Sequence, residues 1–73
     1  MSSFPDRLKE LRKIKGVTQK QVAESVGILE PAYRRYELAT SANPTSDILT
    51  KLADYFEVST DYLLGRSDNP NRQ

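Results

Sequence analysis

The stretch TQKQVAESVGILEPAYRRYE, Thr18 to Glu37, constrains this chain most: helical apolar spacing stops at Gly27, resumes at Ile28 and then meets Pro31. Proline has no N–H and clashes with the turn before it. Within helical sequence it therefore belongs in a first turn, where backbone donors have no partner anyway. A helix must begin near Leu29 or Glu30, so Pro31 marks a start. The helix before it is short, about two turns, capped by Thr18, striped by Val22, Ala23 and Val26, and ended by Gly27. Two short helices joined by so tight a turn cross steeply, and Ala23 is the small residue that lets their backbones approach.

The same reading extends along the rest of the chain. Phe4, Leu8, Leu11 and Ile14 recur at helical spacing from about Phe4 or Pro5 to Lys15, with Gly16 at the exit. Ile28, Ala32, Tyr33 and Tyr36 form the apolar face of the helix that Pro31 opens. The polar segment from Leu38 to Pro44 reads as the main loop, and Thr45 or Ser46 caps a helix faced by Ile48, Leu49, Leu52, Ala53 and Phe56. Ser59 caps a short last helix through Tyr62, Leu63 and Leu64, closed by Gly65. Residues 66–73, RSDNPNRQ, lack periodicity and are expected to be a frayed polar tail or linker stub after one domain at 4–65. Sustained strand alternation is missing, so the fold expected is all-α with five helices.

A chain of 73 residues supports one domain with a small core. Without cysteine or histidine it has no disulfides, no thiolate or imidazole metal ligands, and no nucleophilic scheme based on either residue. No catalytic residue, metal ligand, cofactor or small-molecule site is expected. Apolar runs are too short for a signal peptide or a membrane span, which points to a cytoplasmic protein. The formal net charge of +1 hides an asymmetry. From Met1 to Tyr36 eight basic residues face four acidic ones, a net +4; from Glu37 onwards three face six, a net −3. The first half suits a polyanion and the second suits the side turned away from it.

The order and spacing of LKELRKIKGVTQKQVAESVGI, RRYE and NPTSDILTKLADYFEVSTDYLLG resemble the Cro and phage-repressor type of helix-turn-helix domain, the XRE family, over about Phe4 to Gly65. The resemblance implies a five-helix lambda-repressor-like bundle, bacterial or phage-encoded, that binds double-stranded DNA as a homodimer and regulates transcription, most simply as a repressor. It places the helix from about residue 29 to 37 in the major groove, with Glu30, Pro31, Arg34 and Arg35 at base edges. Arginine can fork onto guanine O6 and N7, and glutamate can accept from cytosine N4. Gln19, flanked by Thr18 and Lys20 at the positive end of its helix, is implied to meet a phosphate, as is Arg12. Tyr62, Leu63 and Leu64 are the candidates for the contact between subunits.

The chain departs from that pattern where Leu29 replaces the usual Ser or Thr cap, where Pro31 offers only apolar contact, and in a loop around Ala39 without positive charge. Fewer phosphate partners mean weaker binding by one subunit and a flatter response to salt. The same departures motivate a second reading, a protein-interaction module such as an antirepressor or antitoxin-like partner built on this scaffold. Tyr33, Tyr36, Tyr55 and Tyr62 read as core and rim packing, not base-stacking platforms. Asp47, Asp54 and Asp61 read as caps and solvated faces, and Glu37 as a structural partner for a nearby arginine.

Overall fold

The computed structural model describes residues 3–38 and 44–71. Among them are five helices: α1 Phe4–Lys15, α2 Gln19–Val26, α3 Glu30–Leu38, α4 Ser46–Phe56 and α5 Thr60–Leu63. The loop expected around Ala39 lies outside the described residues, as do 72–73.

Helix starts follow the capping chemistry. The Ser3, Thr18, Thr45 and Ser59 side chains each accept a backbone N–H from the first turn of α1, α2, α4 and α5. Thr18 does so reciprocally, because the Gln21 side chain returns a bond to the Thr18 N–H at 2.8 Å. Between α4 and α5 the chain is less predictable from sequence. Gly27 ends α2 at φ 76°, where the left-handed conformation suits glycine. Glu57 ends α4 in the same region at φ 56° and carries a side chain there. Replacing Glu57 with glycine is expected to raise unfolding free energy by about 0.5–1 kcal/mol, the relief of left-handed strain less the entropy of a freer unfolded chain. A urea melt with an unchanged midpoint would count against it.

Helices α1 and α2 pack on α3, and α4 closes the other side against α2. The core is Phe4, Leu8, Val22, Ala23, Val26, Tyr33, Leu52, Ala53, Phe56, Val58 and Leu63. Ala23 lies buried in the helix pair, as its small size demanded. Two expectations fail. Ile14 keeps the helical spacing of α1 but is 74% exposed, because it falls in the last turn of α1, beyond the core. Residues 66–71 do not fray: the Ser59 N–H donates to the Pro70 carbonyl at 3.0 Å, and the buried Arg7 guanidinium reaches Asp68 at 3.0 Å while lying 4.0 Å over the Tyr62 ring. That return is non-local, which explains why periodicity missed it.

Candidate nucleic-acid interface

The inward positions of α3 are Tyr33 and Glu37, one turn apart on one face, and both are buried. Burying that face leaves Pro31, Arg34 and Arg35 exposed and Glu30 half-exposed on the other. Glu30 and Arg34 pair across one turn at 3.0 Å, on the surface, where such a pair contributes little. Arg35 makes no hydrogen bond or ion pair among the described residues. The outer surface of α3 therefore carries two guanidinium groups, one lightly tethered and one not.

Glu37 is 2% exposed and carries a charge that needs partners. Arg12 of α1 provides two: Nε donates to one carboxylate oxygen at 2.8 Å and a terminal nitrogen to the other at 3.1 Å. The remaining Arg12 nitrogen donates to the Val17 carbonyl at 3.3 Å. From the first turn of α2, the Gln19 amide nitrogen donates to the same carboxylate at 3.2 Å. The buried Tyr33 hydroxyl leans towards it without a well-formed hydrogen bond. Burial opposes the Glu37 charge, but hydrogen bonds from Arg12 and Gln19, with the Tyr33 hydroxyl close by, outweigh it and hold the carboxyl below its ordinary range. The hydrogen bond to Glu37 in turn raises Arg12 against the opposing effect of burial. Burial, then the Glu37 carboxylate, pushes the Tyr33 phenol well above its usual value. One buried carboxylate thus ties α1, the start of α2 and the last turn of α3 together.

This network gives two of the residues expected at phosphates, Arg12 and Gln19, partners inside the domain. Arg12, expected at a phosphate, is bound inside the domain to Glu37 and Val17 and keeps a side chain 20% exposed. Gln19 is half-buried and holds Glu37 by one N–H, and the second hydrogen on the same nitrogen has no partner among the described residues. Thr18 serves as a cap, and Lys20 is exposed beside it. Leu63 cannot be a subunit contact, because it is 0% exposed and fills the core beneath α5. Tyr62 and Leu64 are partly buried against the same core. The central role of Glu37 was legible only in outline: it stands four residues after Tyr33, on the inward face, where an acid must find a cation.

An outer helix that shows two arginines to solvent, rooted by an aromatic and a buried carboxylate and joined to its predecessor by a tight turn, defines a helix-turn-helix domain. The chain belongs to the helix-turn-helix family, whose profile matches residues 8–63. It is 45% identical over 68 residues to the HTH-type transcriptional regulator YobD of Bacillus subtilis, a match covering 93% of this chain and 60% of that protein. It is 42% identical over 66 residues to the HTH-type transcriptional regulator ImmR of the same organism, covering 90% of this chain and 51% of that one. Against the cryptic phage CTXphi transcriptional repressor RstR of Vibrio cholerae it is 41% identical over 61 residues, covering 84% and 54%. The chain spans between half and two thirds of the length of these relatives.

Proposed function

We propose that this chain is the DNA-binding domain, residues 4–65, of a transcriptional repressor that occupies an operator with α3 in the major groove. The observation that carries the reading is the outer face of α3, where Pro31, Arg34 and Arg35 stand exposed on a helix of the family matched. The major groove is about 12 Å wide and admits one helix, so these groups reach base edges there. Glu30 sits beside them, joined to Arg34. The first turn of α2, with Thr18, Gln19 and Lys20, lies on the phosphate backbone, where its positive end and free backbone N–H groups attract an anion. Arg12 acts from beneath as a structural residue.

The acidic second half of the chain faces away from the DNA. Two copies related by a two-fold axis set their recognition helices about 34 Å apart and read a near-palindrome, with the exposed edges of Tyr62 and Leu64 at the contact. Regulation follows from occupancy and needs no catalytic group, cofactor or metal. The site of action is the DNA in the bacterial cytoplasm. No helix among the described residues is long and apolar enough to cross a membrane.

The test is titration of mixed-sequence duplex at low and moderate salt, followed by anisotropy. Affinity is expected to fall as salt rises, because each neutralised phosphate releases counterions, with a modest slope that reflects the few phosphate partners. Absence of binding at both salt concentrations would reject the reading and favour a domain directed at protein.

A further inference from the structure

We propose that Glu37 is a positioning residue for DNA binding: its buried carboxylate orients the Gln19 side chain so that the free amide N–H faces a phosphate. This rests on the regulatory reading above and adds a mechanism to it. Gln19 is the first residue of α2, where a glutamine side chain on a free surface would sample many rotamers and present either end of its amide. The carboxylate removes that choice. Both Glu37 oxygens are acceptors only, and the one at 3.2 Å from Gln19 also receives Arg12 at 3.1 Å, so only the nitrogen end of the amide can turn towards it. An amide nitrogen carries two hydrogens. One is held by Glu37 and the other has no partner among the described residues, on a side chain rooted in the same first turn as the backbone N–H groups of Gln19 and Lys20, which make no hydrogen bond among those residues either. Arg12 has the complementary task. By gripping Glu37 through two nitrogens it fixes the carboxylate, which itself stands on the last turn of α3, the helix that carries Arg34 and Arg35. Phosphate contact and groove-facing helix are thereby held in one register by a group that touches neither base nor backbone.

The orientation is in place before DNA arrives, so losing it removes the benefit of an already ordered side chain, about three- to tenfold in affinity. The experiment is a double-mutant cycle on DNA affinity with Glu37→Gln, Gln19→Ala and the two combined, read by anisotropy on matched and mixed duplexes at fixed salt. Thermal melts establish the folded fraction of each variant. Gln19→Ala is expected to weaken all sequences alike by about three- to tenfold. Glu37→Gln, corrected for folding, should do the same, and the double variant should bind no worse than Gln19→Ala. Losses that multiply, or a folded Glu37→Gln variant with full affinity, overturn the proposal.

A second measurement stands apart from the variants and is made on the parent chain by NMR. The Gln19 side-chain amide nitrogen should relax like the rigid backbone, with the hydrogen held by Glu37 exchanging more slowly than its free neighbour; a mobile amide overturns the assignment. A parent chain that binds no DNA would bring down the regulatory reading and this proposal together. DNA binding with multiplicative losses would bring down only this one.

Discussion

Replacing Tyr33 with alanine is expected to bring the domain to the edge of unfolding. Tyr33 is the largest fully buried side chain and roots α3 in the core against α1 and α2. Truncating a buried aromatic costs about 3–5 kcal/mol, through lost transfer energy and the cavity left behind. A domain of this length has roughly 4–11 kcal/mol in all. At about 4–8 °C per kcal/mol, the thermal midpoint should fall by roughly 12–40 °C. Tyr33→Phe is the control. Its ring remains, and the hydroxyl it loses makes no well-formed hydrogen bond, so the change should stay within about 1 kcal/mol. Circular dichroism melts of both variants decide the matter. An alanine variant that melts within a few degrees of the parent would mean that α3 is held by something other than this ring. DNA affinity of the alanine variant should track its folded fraction, since the ring sets the helix without meeting the groove.

Arg35→Ala should behave in the opposite way, leaving the fold intact and removing information. The side chain is exposed and makes no hydrogen bond or ion pair among the described residues, so the thermal midpoint should barely move. On a selected operator the loss should be about 1–3 kcal/mol, or roughly 5- to 150-fold, confined to sites with a guanine at one position. Mixed-sequence DNA should lose much less. Site selection from a random pool with the parent and the variant, followed by titration of the winning sequences, measures both quantities. A loss of equal size on every sequence would move Arg35 from base reading to phosphate contact. Arg34 gives a useful comparison. Its ion pair with Glu30 must loosen before it can reach a base, so its removal should cost less selectivity than removal of Arg35.

Local chemistry made most of the fold readable. Pro31 could only open a helix, Gly27 could only close one, and Thr18, Thr45 and Ser59 stood where unpaired N–H groups need acceptors. The outward arginines followed by elimination once Tyr33 had to face inward. Glu57 was missed because a left-handed residue with a side chain leaves no compositional mark. Ile14 misled because spacing gives the face of a helix and says nothing of where its partner stops.

What the sequence determined by itself was therefore the set of helices, their caps and the face of α3 left for solvent, since each depends on residues within a turn or two of one another. Only the tertiary structure decided the fates of Arg12, Gln19, Leu63 and the 66–71 return. Each depends on a partner far along the chain, such as Glu37 for Arg12 or Arg7 for Asp68, and a charge or an apolar group carries no record of which distant neighbour will desolvate it.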